Sequence, residues 1–264
     1  MTWITAYIVL ASAVGILAGL LGIGGGLIIV PMLTFLFTAQ GYPAEYILHM
    51  ALGTSLASIM FTSVSSFRAH HKRNAVIWKA VASITPGIIL GTFGGSYVAA
   101  RLPTGFLKGF FACFLYYVAT QMLLGMKPKA TRTLPGAPGM TAAGGVIGIF
   151  SSLVGIGGGS LSVPFLVWCN ASMHQAIGTS AAIGFPIAVA GGIGYVVNGL
   201  KVSGLPAHTL GFVHLSALFG IAVTSVLTAP LGAKLAHSLP VDKLKKLFAF
   251  LLYAIGTKML VSLF

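Results

Sequence analysis

The sequence predicts an all-α membrane protein of about eight hydrophobic segments, arranged as two homologous four-segment repeats that are inverted relative to each other. Three observations lead to this prediction: the apolar composition, the length of the apolar runs, and the duplication of short motifs in the same order. In each repeat a glycine cluster breaks the first segment, which therefore forms a hairpin or a discontinuous helix.

The composition requires a lipid environment. Of the 264 residues, 57% are hydrophobic and 6% are charged, whereas a soluble domain carries about 25% charged residues. A chain with so few polar side chains cannot cover its surface with water-facing groups, so its solvent must be lipid. The first apolar run lacks a basic leading region and its motif recurs in mid-chain, so we expect it to be retained rather than cleaved as a signal peptide.

The charge balance narrows the functional classes. Fifteen Lys and Arg give a net charge of +13, and the only acids are Glu45 and Asp242. The basic residues lie between apolar segments, where they act as topology signals and contacts to anionic lipid, so no nucleic-acid partner is expected. A cation path built on intramembrane carboxylates is disfavoured. Cys113 and Cys169 have no paired spacing, so neither a disulfide, a metal site nor a cofactor is expected.

The apolar runs define the segments, because a membrane-spanning helix needs about 17–25 apolar residues. The runs are approximately 4–39, 47–67, 77–99, 105–125, 140–169, 175–197, 208–236 and 244–263. The longest polar stretch, Met126 to Gly139, separates them into two groups of four. We therefore predict a first repeat over 1–125, a cytoplasmic linker over 126–139 and a second repeat over 140–264.

Duplicated motifs support the repeat. Gly22-Ile23-Gly24-Gly25-Gly26 matches Gly155-Ile156-Gly157-Gly158-Gly159, and Val30-Pro31 matches Val163-Pro164 at the same offset of 133. His49, Ala51 and Gly53-Thr54-Ser55 match His174, Ala176 and Gly178-Thr179-Ser180 at an offset of 125. Leu102-Pro103, Leu107-Lys108, Tyr116 and Met122 match Leu239-Pro240, Leu244-Lys245, Tyr253 and Met259 at an offset of 137. Internal repeats of this kind are typical of secondary transporters.

The distribution of basic residues favours inverted repeats. If each broken segment crosses the membrane once, nine basic residues lie on one side and six on the other. If each broken segment returns to its starting side, the split is eleven to four, which is the stronger positive-inside bias. The hairpin arrangement places both chain ends outside. A first helix that crosses the membrane fully and is followed by a full return places the later segments on the same sides as the hairpin does. This arrangement therefore stays open as an alternative.

The glycine clusters predict an anion site made of backbone. Consecutive glycines disfavour a helix by about 1 kcal/mol each, and a break within the membrane is tolerated only where it is buried or lines a cavity. The helix that follows begins with unpaired N–H groups and a positive dipole end, which attract an anion. The alternative is close helix–helix packing through small residues. The candidate residues are Gly24, Gly25 and Gly26 with Gly157, Gly158 and Gly159.

Hydroxyl side chains form a second candidate group. Thr54, Ser55, Thr179 and Ser180 occupy matching repeat positions soon after the glycine clusters. A hydroxyl can donate a hydrogen bond to an anion without bringing a charge into the membrane. It can equally bond back to the preceding helical turn, which would leave it with no functional role.

Two histidines share a repeat position. His49 and His174 are candidates for proton coupling or substrate contact, since imidazole changes its charge near physiological pH. Their depth in the membrane decides between that role and an interfacial one. The sequence contains no combination of nucleophile, base and acid, so an enzyme is not expected.

These motifs resemble those of the TauE/SafE family of sulfite-exporter-like membrane permeases, over nearly the whole chain. The resemblance rests on the Gly-Ile-Gly-Gly-Gly-x-x-x-Val-Pro, Ala-x-Gly-Thr-Ser and Leu-Pro-x-x-x-Leu-Lys motifs, each present twice. It implies a multi-pass protein of a bacterial or archaeal inner membrane that exports sulfite, sulfoacetate or a related sulfonate. It also implies that the glycine and hydroxyl residues named above contact the substrate.

The leading hypothesis is therefore a secondary transporter that exports a small sulfur-containing anion by alternating access. An importer or channel for another small anion or sulfur compound is the first alternative, and a membrane scaffold without flux is a remote one. The expected partners are the anionic substrate and membrane lipid. The sequence leaves open which anion is carried, what drives it and how many copies assemble.

Overall fold

A computed structural model gives the fold of the chain. It describes residues 5, 7, 12, 25–125, 131–238 and 241–262. Gly24 of the predicted site lies outside these residues.

The described residues form nine helices and one short antiparallel sheet. The helices are α1 (Gly26–Ala39), α2 (Ile47–His71), α3 (Trp78–Ala99), α4 (Thr104–Leu123), α5 (Ala137–Val154), α6 (Gly159–Trp168), α7 (Met173–Gly199), α8 (Leu215–Ser238) and α9 (Val241–Val261). The strands β1 (Thr209–Leu210) and β2 (Val213–His214) pair between α7 and α8. Five helices, α2, α3, α4, α5 and α7, are long and apolar enough to cross a membrane. A largely helical, multi-pass membrane protein was expected from the apolar runs, and the structure agrees.

The second predicted helix break is confirmed. The apolar run 140–169 divides into α5 and α6, and the four residues between them are not helical. Gly155, which ends α5, and Gly158, which precedes α6, have φ angles of 68° and 77°. These are left-handed conformations that glycine adopts without steric cost. Gly25 precedes α1 in the same conformation, with a φ of 71°.

Helix α6 turns back toward the side on which α5 begins. The carbonyl oxygen of Trp168, at the end of α6, accepts hydrogen bonds of 3.3 Å from the N–H groups of Thr131 and Arg132. Residues 131–136 span at most about 20 Å when extended. A continuing α6 would place Trp168 about 40 Å from the start of α5, since an α-helix rises 1.5 Å per residue. The hydrogen bonds are therefore possible only if the broken segment reverses.

Two boundaries differ from the sequence prediction. Helix α5 begins at Ala137, three residues before the predicted segment, because Pro138 lies in its first turn, where a missing N–H costs nothing. The predicted segment 208–236 begins with the β1–β2 hairpin, and its helix starts only at Leu215. Gly211, at the turn of that hairpin, has a φ of 55°.

The helices pack in pairs around a buried apolar core. Helix α3 lies against α5 and α7, α2 lies against α7, and α4 lies against α9. The contact between α3 and α5 is made through Gly87 and Gly91, because a Cβ on either would overlap the α5 backbone. Small residues that let backbones approach are the usual basis of helix association in lipid.

Helices α4 and α9 make a reciprocal contact. Tyr116 Oη lies 2.7 Å from Thr257 Oγ1, and Tyr253 Oη lies 2.6 Å from Thr120 Oγ1. Tyr116 and Tyr253 share an offset of 137, as do Thr120 and Thr257. One turn forward along α4 takes the partner one turn back along α9, so the two helices run antiparallel.

Candidate functional site

The start of α1 meets the break between α5 and α6 in the interior. A Cβ on Gly26 would lie 2.7 Å from the carbonyl oxygen of Gly155 and 3.0 Å from Cα of Ile156. The Ser55 hydroxyl donates a hydrogen bond of 2.8 Å to the same Gly155 carbonyl. The residues that precede α1 and α6 are buried. The starts of two helices that are distant in sequence therefore lie in one buried region.

The first turn of α6 leaves N–H donors without partners. The carbonyl of Gly158 accepts from the N–H groups of Leu161 and Ser162, at 3.0 and 2.8 Å. Within the described residues, no acceptor is found for the N–H groups of Gly159 and Ser160. At the start of α1, the Gly25 carbonyl likewise accepts from two residues of the first turn. The start of α6 thus combines N–H groups that have no acceptor within the described residues with the positive end of a helix dipole, and α1 begins with the same bonding pattern at Gly25.

Hydroxyl groups surround the start of α6. Ser162 Oγ lies 2.9 Å from the Gly158 carbonyl oxygen and 2.7 Å from Ser180 Oγ. The buried Ser151 and Ser160 hydroxyls have no hydrogen-bond partner within the described part of the chain. Sequence reasoning selected Ser180 but missed the other three. Ser160 and Ser162 lie within three residues after the second glycine cluster. This position in the sequence could have indicated them as candidate site residues.

The hydroxyl oxygens of Thr54 and Thr179 accept hydrogen bonds from backbone N–H groups of distant loops. Thr54 Oγ1 accepts a hydrogen bond of 2.9 Å from the N–H of His214. Thr179 Oγ1 accepts one of 2.9 Å from the N–H of Ile77. His214 and Ile77 each precede a helix, α8 and α3 respectively. Each threonine therefore holds the start of a helix from the opposite half of the chain.

The two predicted histidines have different surroundings. His49 is buried, with Nε2 3.1 Å from the Ala99 carbonyl oxygen and Nδ1 3.1 Å from that of Glu45. His174 is exposed in the first turn of α7. The shared repeat position does not give them a shared environment. Their coupling role stays a prediction.

Neutral groups supply the polar interior. None of the Lys, Arg, Asp and Glu side chains among those described is buried. An anion in the buried region would be stabilised by N–H groups, hydroxyls and helix dipoles, with no cationic side chain beside it. Such a site avoids the cost of placing an ionised side chain in the membrane.

Comparison with known proteins identifies the family. The sequence profile of the family described as "Sulfite exporter TauE/SafE" matches residues 7–259. The chain belongs to the TauE/SafE family. It is therefore a membrane transporter by family, as its motifs indicated.

The relatives of this TauE/SafE transporter come from bacteria and archaea. A probable membrane transporter protein of Haemophilus influenzae is 38% identical, with 99% of each chain covered. A probable membrane transporter protein of Methanocaldococcus jannaschii is 29% identical, with 96% of this chain and 94% of the relative covered. No solved structure matches the TauE/SafE chain significantly.

Proposed function

We propose that this TauE/SafE transporter exports a small sulfur-containing anion, such as sulfite or an organosulfonate like sulfoacetate, across the inner membrane. The observation that carries the proposal is the contact between the start of α1 and the break that precedes α6, Gly26 against Gly155 and Ile156. It brings the start of α1 close to the break from which α6 begins, and a helix start binds anions. The family's description as sulfite exporters supports sulfur oxyanions over other anions.

The proposed anion site consists of backbone and hydroxyl groups. Gly25, Gly26 and Gly157–Gly159 provide close approach and N–H donors, while Ser55 and Ser180 lie beside them. Thr54 and Thr179 position the helices that surround the site. Among the described residues no Lys, Arg, Asp or Glu side chain is buried, so only neutral groups bind the anion. Binding by neutral groups favours entry of the anion and still allows its release.

Alternating access follows from an inverted repeat. The reciprocal contacts of Tyr116 with Thr257 and of Tyr253 with Thr120 support a two-fold relation between antiparallel helices. In such transporters, one repeat moves against the other around a site at the midplane. By the positive-inside rule, the side that carries Arg68, Lys72, Arg73 and Arg132 is the cytoplasm.

The membrane potential suffices to drive export. Moving one elementary charge through 100 mV releases about 2.3 kcal/mol, and an anion leaving the cell moves in the favourable direction. Because the membrane potential alone supplies this free energy, export does not require a coupled ion. The scarcity of carboxylates in the chain, two in all, disfavours coupling through carboxylate side chains.

Flux into proteoliposomes tests the proposal. The purified transporter is reconstituted, a potential is imposed with valinomycin and K⁺, and uptake of sulfite, sulfoacetate, thiosulfate, sulfate and acetate is compared. We expect sulfite or sulfoacetate flux to follow the imposed potential in sign. Flux only of acetate or another sulfur-free anion would indicate a different substrate class, and absence of all flux together with absence of binding would favour a scaffold. Flux opposite in sign to the potential would indicate a coupled importer.

A further inference from the structure

Two unpartnered hydroxyls lie at the start of α6. Among the described side chains, four buried hydroxyl oxygens lack a hydrogen-bond partner, those of Thr92, Ser151, Ser160 and Ser225. Ser151 is fully buried and Ser160 is 9% exposed. Buried polar groups are nearly always paired, and an unpaired one calls for an explanation such as an absent ligand.

Ser151 points toward Gly158, the residue that precedes α6. Its Oγ lies 3.4 Å from the position that a Cβ would occupy on Gly158. Ser160 lies in the first turn of the same helix, beside the N–H groups that have no described acceptor. Ser151 on α5 and Ser160 in the first turn of α6 thus come from different helices, and both lie close to the start of α6.

We propose that Ser151 and Ser160 are ligands of the transported oxyanion, and that they hold it against the start of α6. The inference rests on the proposed function and adds to it which residues hold the anion and which half of the chain supplies them. Each serine would donate its O–H to an oxygen of the sulfite or sulfonate group, alongside the N–H groups of Gly159 and Ser160. Hydrogen bonds to an ionised acceptor are stronger than those between neutral groups.

The first half lacks the corresponding hydroxyls. Ser160 and Ser162 correspond to Leu27 and Ile29 at the offset of 133, and both of these side chains are buried. Ser151 corresponds to Ala18 at the same offset. Among the described residues of its first turn, α1 therefore offers backbone N–H groups between apolar side chains. The two hydroxyls assigned here as ligands, Ser151 and Ser160, both come from the second half, so the anion site is asymmetric.

The chain supplies a matched control. Ser152 neighbours Ser151 on α5 and is equally buried, but its hydroxyl donates to the Ile149 carbonyl oxygen at 2.7 Å. Alanine at Ser152 removes a hydroxyl that already has a partner in the protein.

Binding and stability measurements on purified protein test the inference. The variants S151A, S160A and S152A are compared by calorimetric titration with sulfite and sulfoacetate and by thermal unfolding without ligand. We expect S151A and S160A each to raise the Kd about tenfold, the effect of losing one charge-assisted hydrogen bond. S152A should change the Kd less than about twofold. Since the Ser151 hydroxyl has no partner to lose among the described residues, S151A should leave the Tm unchanged or raise it.

The outcomes separate this inference from the proposed function. Wild-type binding and flux that S151A and S160A leave unchanged would overturn the serine site and keep the transport proposal. A fall in the Tm of S151A with an unchanged Kd would show a purely structural role and also overturn it. If the wild-type protein binds neither anion, both proposals fail.

Discussion

The hydroxyl oxygen of Thr54 accepts a 2.9 Å hydrogen bond from the N–H of His214, 160 residues further along the chain. Thr179 Oγ1 likewise accepts a 2.9 Å hydrogen bond from the N–H of Ile77, which lies 102 residues earlier in the chain. The glycine before each threonine makes room for the backbone of the loop that this threonine binds. A Cβ on Gly53 would lie 2.8 Å from the Phe212 carbonyl oxygen, and one on Gly178 would overlap the Ala75 carbonyl. The Gly-Thr pairs thus fasten each half of the chain to the other.

We expect T54V to lower the free energy of unfolding by about 1–3 kcal/mol, because the buried N–H of His214 loses its acceptor. T54S keeps a hydroxyl and should retain most of the stability. Thermal unfolding of the purified protein in detergent measures both. A T54V protein of unchanged stability that binds sulfite more weakly would instead make Thr54 a substrate contact.

We expect G178A and G53A to destabilise the protein, by about 1–3 kcal/mol or more, because overpacking forces the facing loop to shift. G178A should be the more severe, since its Cβ comes closer to the opposing carbonyl than that of G53A. Gly94 on α3 is the control: nothing lies within 4 Å of its Cβ position. G94A should be neutral or slightly stabilising, by up to about 1 kcal/mol. Comparable losses in all three variants would contradict this account.

Alanine at Gly158 should destabilise the break between α5 and α6. Its φ of 77° is left-handed, which costs a residue with a Cβ about 1–2 kcal/mol. The Cβ would also lie 2.5 Å from Cδ1 of Ile187. Shortening that side chain removes the clash but leaves the backbone strain. We therefore expect the double variant G158A/I187V to recover part of the Tm lost in G158A, and full recovery would contradict the assigned strain.

Phe212 should be a major packing residue. It is 1% exposed, and its ring centroid lies 5.2 Å from that of His49 and 6.4 Å from that of Tyr195. We expect F212A to lower the free energy of unfolding by about 3–5 kcal/mol, the usual cost of removing a buried aromatic ring. Phe219, which is 69% exposed on α8, is the matched control. Unfolding of F219A should resemble that of the wild type; equal losses in both variants would refute the role assigned to Phe212.

The glycine clusters illustrate what sequence reasoning could recover. Three consecutive glycines disfavour a helix by about 1 kcal/mol each, so the break between Val154 and Gly159 was predictable from local chemistry. The environments of His49 and His174 were not. They share a motif and an offset, yet one contacts the Ala99 carbonyl oxygen and the other is exposed. The difference depends on which distant helix end lies beside each ring.

The sequence by itself determined that the protein resides in a membrane, that the segment 140–169 breaks at its glycine cluster and which motifs recur, because hydrophobicity and helix propensity are properties of short stretches. Only the tertiary structure decided that Gly26 contacts Gly155, that Thr54 and Thr179 bind backbone, and that the hydroxyls of Ser151 and Ser160 have no partner among the described residues. Hydrogen-bond satisfaction is set by groups brought together from distant parts of the chain. A motif can indicate a hydroxyl as a candidate ligand, but the fold determines whether that hydroxyl is already hydrogen-bonded to another group of the protein.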